Sequence, residues 1–345
     1  MMRSVAVLIS LAACATSTDV DPGDTSAPEC DRIHGAKGVV LLVDEVAHFP
    51  TEAPDQATAT TSVAGPLDDG LYLAVAGGEL LLSEDDGCNW TEPGSRLPAT
   101  GDWDLVVQGA TVHAFDRASS ATATSTDGAL SWAASDSGEA FLGAVAADPT
   151  VAGRLRGVQS RGVVTSEDGG TTWTAASGTP TATLVSGAVY GQDLETAAGA
   201  WSGGVMITRT GGQTWDEIGA DLVEDGFVPG TVVFSTESPD TLWAIGTEVD
   251  TVVLYVTFDG GNTWTDAASS KGIDIEADAR LWPVPGALSS VATAWGTTQD
   301  NYGINLYEIV AGDNIHTTHT TAYYHVHDVA FREDGAWIVG VDAIP

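Results

Sequence analysis

Short apolar runs separated by turn residues recur along most of this chain. Examples are the runs at 71–76, 79–83, 241–245 and 251–257, which are rich in Leu, Val, Ile and Ala. Turn signals return every 8 to 12 positions, and no helical periodicity is sustained. This pattern predicts an all-β protein built from many short antiparallel strands.

A second regularity is an eight-residue motif that occurs five times. Its pattern is Ser/Thr-x-Asp-x-Gly-x-x-Trp, and its tryptophans lie 42, 41, 42 and 49 residues apart. The copies are SEDDGCNW at 83–90, STDGALSW at 125–132, SEDGGTTW at 166–173, TRTGGQTW at 208–215 and TFDGGNTW at 257–264. A shared period of this length indicates a repeat architecture in which each repeat is one structural unit.

The residue types of the motif suit a tight hairpin turn. Gly tolerates a positive φ at no steric cost, and Asp and Ser/Thr side chains form hydrogen bonds with the backbone of the turn. The Trp then buries a large aromatic surface. We expect each motif to join the third and fourth strands of one sheet, although Ala129 replaces Gly in the second copy and Thr210 replaces Asp in the fourth.

The motif resembles the Asp-box, also called the BNR repeat, of sialidases, sortilin-type receptors and photosystem II assembly propellers. The resemblance implies a β-propeller in which each repeat forms one blade and each box stabilises a turn and has a purely structural role. The positions with that structural role are Ser83, Asp85, Gly87, Trp90, Ser125, Asp127, Trp132, Ser166, Asp168, Gly170, Trp173, Thr208, Gly212, Trp215, Thr257, Asp259, Gly261 and Trp264.

The number of blades follows from the strands that lack a box. Apolar stretches at 280–283, 290–295 and 305–310 supply about one more period, whereas 322–345 supplies only two strands. Half a blade cannot bury its face, and the run GVVLLV at 38–43 is a spare strand. We therefore predict that the chain ends pair to close a seven-bladed ring; six blades are the alternative, if residues 31–60 pack outside it.

The first residues have the features of an export signal. A basic start at Arg3 precedes the apolar run at 5–13, which is too short to span a bilayer and ends at Cys14. The sequence LAAC resembles the bacterial lipobox, which implies cleavage before Cys14 and acylation of its sulfur. The alternative is ordinary signal-peptide cleavage at the same place. Position 15 is Ala and not the Asp that would suggest inner-membrane retention, so the outer membrane is favoured if the host has two membranes.

The chain is therefore expected to have three segments. Residues 1–13 are a lipoprotein signal peptide, 14–30 are the lipidated cysteine and a flexible acidic tether, and 31–345 are the propeller. The expected protein is thus exported and held at the cell envelope by its lipid, as a monomer. Export also favours a disulfide between the remaining cysteines, Cys30 and Cys88, with two unpaired thiols as the alternative.

Charge limits the possible partners. The chain has 48 acidic and 12 basic residues, giving a formal net charge of -36. Nucleic acid phosphates would be repelled, so no nucleic-acid partner is expected. The acidity serves solubility, or alternatively collects divalent cations.

One metal site can be considered on the basis of side-chain spacing. His325 and His327 would point to the same face of a strand, beside Asp328, and could bind a transition metal. The alternative is a polar, exposed strand with incidental histidines, and no other cofactor is expected.

The resemblance to sialidases also implies an arginine triad, a Tyr–Glu nucleophile pair and an acidic proton donor. Their first arginine lies in an Arg-Ile-Pro motif, and here Arg32-Ile33 is followed by His34. Since the triad is not recognisable, the resemblance covers the scaffold, and we assign no catalytic residue. Among the tryptophans outside the boxes, Trp103 is the one most expected to be exposed.

The sequence therefore predicts a non-catalytic binding or assembly platform for protein or glycan. The alternative is a carbohydrate-active hydrolase, sialidase-like or another glycoside hydrolase. Arginines and a carboxylate pair at one mouth of the channel would favour hydrolysis, and a mouth of small and aromatic residues would favour binding.

Overall fold

The molecule is a ring of seven small antiparallel sheets. The structure is a computed structural model, and it describes residues 33–35, 38–43, 46–48, 60–67, 71–76, 79–98, 101–249, 251–269, 279–296, 302–310, 313–320, 325–332 and 335–341. Residues 1–32, which include the predicted signal, Cys14 and Cys30, lie outside the described residues.

Twenty-seven strands in the described ranges form the blades, which we number in chain order from the first complete repeat. Blades one to three are β3 (Thr60–Leu67), β4 (Leu71–Ala76) and β5 (Glu79–Ser83); β6 (Trp103–Gln108), β7 (Thr111–Asp116), β8 (Ala121–Ser125) and β9 (Ala133–Asp136); and β10 (Ala146–Ala147), β11 (Leu155–Gln159), β12 (Gly162–Ser166) and β13 (Thr174–Ala175).

The other four blades each have four strands. They are β14 (Ser186–Val189), β15 (Ala197–Trp201), β16 (Gly204–Thr208) and β17 (Asp216–Ile218); β18 (Phe227–Phe234), β19 (Leu242–Glu248), β20 (Thr251–Thr257) and β21 (Thr265–Ser269); β22 (Leu281–Pro283), β23 (Ser290–Gly296), β24 (Tyr302–Val310) and β25 (Asp313–Thr320); and, for blade seven, β26 (Val326–Phe331), β27 (Trp337–Val341), β1 (Val39–Val43) and β2 (Val46–His48).

Blade seven joins the two ends of the chain. Its strand order is β26-β27-β1-β2, and β1 pairs antiparallel with β27 so that Leu41 lies opposite Ile338. The predicted seven-bladed ring is confirmed and the six-bladed alternative is wrong. Pairing the ends in this way leaves no open edge between the first and last blades.

The core lies between the blades. The residues that the structure describes form seven hydrophobic clusters, one at each junction between neighbouring sheets. On β4, Tyr72 and Ala74 face blade seven, whereas Leu73 and Val75 face blade two. Because both faces of such a strand are buried, its sequence is a continuous apolar run, and each fully buried Leu contributes about 1.5–3 kcal/mol.

Blade one departs from the expected pattern at its outer edge. After the first box the chain makes only isolated bridges to β5, between Leu82 and Thr91 and between Glu79 and Arg96. Pro93, which has no N–H to donate to a ladder, lies between the two bridges. The first box therefore leads into an irregular edge instead of a regular fourth strand.

The described residues contain one short helix, α1 (Ala220–Glu224), between blades four and five. No helix in this part of the chain has the length and apolar composition needed to cross a bilayer.

Candidate functional site

The five box turns share one hydrogen-bond pattern. In the third copy, Ser166 Oγ accepts from Gly170 N at 2.8 Å and donates to Asp168 Oδ1 at 2.9 Å. Asp168 Oδ1 also accepts from Thr172 N at 2.8 Å. An indole hydrogen bond, from Trp173 Nε1 to Gly170 O at 3.1 Å, is found in this box and in the first, whereas Trp132, Trp215 and Trp264 do not make it. These contacts are internal to the turn, so the boxes are structural in geometry.

The divergent boxes keep this pattern by substitution. Thr210 Oγ1 takes the place of the carboxylate and accepts from Thr214 N at 2.9 Å. Ala129 occupies the left-handed region with φ 68°, although it carries a Cβ. In the second box, hydrogen bonds, led by that from the Ser131 hydroxyl, lower the pKa of Asp127 to about 2.

The first box also holds a disulfide. Cys88 is disulfide-bonded, and the chain at His34 lies beside it, with His34 N donating to Cys88 O at 2.9 Å. Its predicted partner, Cys30, is only four positions before His34 but lies outside the described residues. The Cys30–Cys88 pairing stays a prediction.

Four charged side chains of blades two, six and seven meet at the channel. We call Asp104, Arg117, Arg280 and Asp328 the arginine–carboxylate cluster. Arg280 lies directly before β22 of blade six, and its Nη2 donates to Asp104 Oδ1 of blade two at 2.9 Å. Arg117 Nη2 donates to the same Asp104 oxygen. The cluster thus links blades that are not neighbours in the ring.

Asp328 ties three blades to one another. Its Oδ2 accepts from Ser62 Oγ and Val63 N of blade one, both at 3.0 Å. Its Oδ1 accepts from Trp282 Nε1 of blade six at 2.9 Å and from Val329 N at 3.0 Å. Four donors therefore surround one buried carboxylate.

The carboxylate of Asp104 is held in its ionised form. Burial by itself would raise the pKa of Asp104, but the charge of Arg280 and the hydrogen bond and charge of Arg117 outweigh it, and the pKa lies below its ordinary value. Burial opposes the positive charge of Arg117, yet Asp104 raises the pKa of this guanidinium further above its usual range. The two arginines and their carboxylates neutralise one another.

A cavity of about 760 Å³ lies directly beyond the cluster along the same strands. We call it the channel cavity; its lining residues are Val63, Ala64, Gly65, Pro66, Leu105, Val107, Gly109, Pro285, Val329, Ala330, Phe331 and Arg332. It reaches the surface at Pro66, Gly109 and Pro285, which are exposed. Its size is typical of ligand pockets, and all of its side chains except Arg332 are apolar or absent.

The cavity and the boxes share one face of the ring. Within a blade the first and third strands run in the same direction, so the ends of the inner strands and the box turns lie on the same side. Arg332 Nη1 donates to Asp86 O of the first box turn at 2.9 Å, which joins the two features directly.

One carboxyl group with a raised pKa lies away from the channel. A proton donor for glycoside hydrolysis needs a raised pKa. Burial, together with the charge of Glu248, raises the pKa of Asp266. Asp266 lies on β21, the outermost strand of blade five, away from the channel.

The histidines predicted for a metal lie at the start of the inner strand of blade seven. His325 is exposed and precedes β26, and His327 lies where the pairing of β26 with β27 shifts register between Val326 and Asp328. Within the described ranges, no three His, Cys, Asp or Glu side chains are grouped so that they could hold a metal. The carboxylate of Asp328 is engaged with blades one and six.

Sequence reasoning missed the cluster, and its prediction for Trp103 is wrong. Trp103 is 1% exposed in the core between blades one and two, because alternation on β6 turns its neighbours Asp102 and Asp104 towards Arg117. The alternating Asp-Trp-Asp at 102–104 was the one feature of the sequence that pointed to the cluster. Arg117 lies in the β7–β8 connection of the same blade as Asp104, whereas the contact of Arg280 with Asp104 depends on ring closure.

Comparisons with known proteins support the architecture. No protein-family model matches this chain, and no curated protein matches its sequence. The structure is similar to that of YCF48 from Cyanidioschyzon merolae, with a TM-score of 0.58, 14% identity, and coverage of 84% of this chain and 95% of that one. A structure of YCF48 bound to D1 peptide gives a TM-score of 0.57, 14% identity, and 83% and 90% coverage.

A glycoside hydrolase has the same degree of similarity. The GH74 xyloglucanase from Xanthomonas campestris gives a TM-score of 0.58 and 15% identity, and the alignment covers 80% of this chain and 49% of the enzyme. Since enzymes and non-enzymes match equally well at such low identity, the comparisons establish the fold and no activity. The chain is a seven-bladed β-propeller.

Proposed function

We propose that this propeller is a non-catalytic binding or assembly platform whose ligand occupies the channel cavity. The observation that carries the proposal is the contrast along the inner strands. The arginines and carboxylates at the channel pair with one another, and the open space beside them is lined by Val, Ala, Leu, Pro, Phe and Gly and by Arg332, which is hydrogen-bonded to the first box turn. Such a surface can bind but has no group to transfer a proton.

A carbohydrate-active hydrolase is the second candidate, because two arginines and two carboxylates do meet at the channel. A glycosidase needs one protonated and one free carboxylate. Here Asp104 lies between Arg117 and Arg280, and Asp328 accepts four hydrogen bonds. Neither carboxylate is available for the reaction, which favours binding over hydrolysis.

The comparison with YCF48 bound to D1 peptide supports a protein ligand, since a propeller of this fold binds a peptide there. The proposed location is the cell envelope, where a lipid on Cys14 would anchor the protein through a tether. The basis for this proposal is that the apolar run and lipobox at 5–14 precede the propeller. Two or more acyl chains make such an anchor stable. Replacing Cys14 with Ser should move the protein from the membrane to the soluble fraction; unchanged fractionation would reject the anchor.

The proposal is tested with a panel of glycans, glycosides and peptides, measuring binding and turnover with the wild-type protein. Two variants block the cavity: Val107→Glu on β6 and Pro285→Trp at its mouth. The matched controls are Leu130→Glu, at an exposed position in the second box, and Pro93→Trp, in another Pro-Gly turn outside the cavity.

The platform predicts binding without turnover that is lost in the two cavity variants and kept in the two controls. Turnover of any glycoside that is abolished by Asp104→Asn would overturn the proposal in favour of hydrolysis. Binding that survives both cavity variants would place the ligand elsewhere.

A further inference from the structure

We infer that the channel cavity takes an apolar side-chain anchor of an extended protein segment whose flanking residues are basic. The inference rests on the proposed binding function and names the ligand class for that cavity. It draws on two features of the structure: the chemistry of the lining and the distribution of charge around it.

The lining disfavours a glycan. Sugars are held by hydrogen bonds from polar side chains and by stacking on aromatic rings. Of the twelve lining residues, only Arg332 has a polar side chain, and only Phe331 is aromatic. Arg332 is 8% exposed, and its Nη1 donates to Asp86 O. Apolar side chains, by contrast, gain about 25 cal/mol for each Å² that they remove from water.

The shape of the cavity suits a chain that enters from outside. The mouth lies where Pro66, Gly109 and Pro285 are exposed. The inner end is lined by Val63, Leu105 and Val329, the positions that directly follow Ser62, Asp104 and Asp328 along their strands. Leu105 and Val107 on β6 and Phe331 on β26 are half-buried along its wall. An apolar side chain can insert while the backbone of its segment stays at the surface.

Charge determines the flanking residues. Within the described residues there are eight arginines and no lysine. Six of these are paired with carboxylates: Arg96, Arg117, Arg154, Arg156, Arg209 and Arg280. The remaining excess of acid gives the molecule its charge of -36, so positive potential is scarce and negative potential is widespread.

The face on which the cavity opens is part of this acidic surface. The pKa values of Asp127, Asp168 and Asp259 in the box turns are lowered, mainly by hydrogen bonds from Ser131, Thr172 and Thr263, so these carboxylates are charged at neutral pH. A basic segment is attracted to this face. An acidic segment, or a lipid with an anionic headgroup, is repelled even though its apolar part fits the cavity.

Two peptides of about ten residues test the inference by fluorescence anisotropy with the whole protein. Both have the central sequence Leu-Phe-Leu; one has Lys on both sides and the other Glu. The Lys-flanked peptide should bind at least about tenfold more tightly at about 0.02 M salt, and the difference should shrink at about 0.5 M, where charges are screened within a few Å. Its binding should be lost in Val107→Glu and Pro285→Trp and kept in Leu130→Glu and Pro93→Trp.

A third peptide separates the anchor from the charges. Replacing Leu-Phe-Leu with Ser-Gly-Ser in the Lys-flanked peptide should reduce affinity at least about tenfold, because the buried apolar area is lost. Equal binding of this peptide would show attraction to charge alone and overturn the inference. Tighter binding of the Glu-flanked peptide, or binding of neutral phosphatidylcholine vesicles in preference to either peptide, would overturn it too.

These outcomes are distinct from failure of the proposed function. If glycans compete for the cavity and the peptides do not, the platform stands and the inferred ligand class is wrong. If no ligand responds to the cavity variants, the platform itself fails.

Discussion

Replacing Asp328 with Ala should weaken the closure of the ring, because this carboxylate is the polar junction of blades six, seven and one. The change removes the acceptor for Ser62 Oγ, Val63 N, Trp282 Nε1 and Val329 N, all at 2.9–3.0 Å. Ser62 is 1% exposed and Trp282 is 7% exposed, so neither is well placed to find water instead.

The loss of stability follows from the number of hydrogen-bond donors that are left without an acceptor. A buried donor without its acceptor costs about 1–3 kcal/mol, and removing one partner of a buried ionic network costs about 3–5 kcal/mol. Some water can enter from the neighbouring channel cavity, so we expect a loss of about 4 kcal/mol in the free energy of unfolding. Asp328→Asn keeps one acceptor oxygen and should lose about 2 kcal/mol.

Equilibrium urea unfolding followed by tryptophan fluorescence measures the effect. The control is Asp216→Ala, an exposed position on β17, where a change within about 0.5 kcal/mol is expected. A loss below about 1 kcal/mol for Asp328→Ala, or equal losses for the Ala and Asn variants, would refute the reasoning.

Three further predictions concern stability. His113 is fully buried, and burial lowers its pKa to about 4. Because the unfolded chain takes up a proton on this histidine below about pH 6.5, the free energy of unfolding should fall by about 3 kcal/mol as the pH drops from 6.5 to 4. In urea titrations at several pH values, His113→Gln should flatten that dependence on pH. Thr210→Asp should restore a carboxylate acceptor for Thr214 N and raise stability by about 0.5–1 kcal/mol; no gain in thermal denaturation would contradict this. If Cys30 is the partner of Cys88, Cys30→Ser, Cys88→Ser and the double variant should each lose the same 2–5 kcal/mol or so, whereas a smaller loss for Cys30→Ser would point to another pairing.

The fold could be predicted because its signal is repeated and local. Each box turn satisfies its own backbone, and each middle strand is apolar on both faces, so a single repeat contains the information for one blade. The unpaired strand at 38–43 and the two strands at the end of the chain were enough to infer blade seven.

The site could not be predicted because it is assembled from distant parts of the chain. Asp328 and Ser62 are separated by 266 positions, and Arg280 and Asp104 by 176. Their contact depends on ring closure and on which face each inner strand turns to the channel, and no local motif encodes either. Trp103 shows the same limit, since its two acidic neighbours suggest exposure whereas strand alternation buries it.

The most direct test of the central claim is to find where an apolar anchor lies in the bound protein. A photo-reactive leucine at the centre of the Lys-flanked peptide, cross-linked by light and mapped by mass spectrometry, reports the contacts within a few Å. We expect adducts on the cavity wall, at Val107, Pro285 and Phe331. Adducts confined to an outermost strand, such as β25, would contradict binding in the channel cavity.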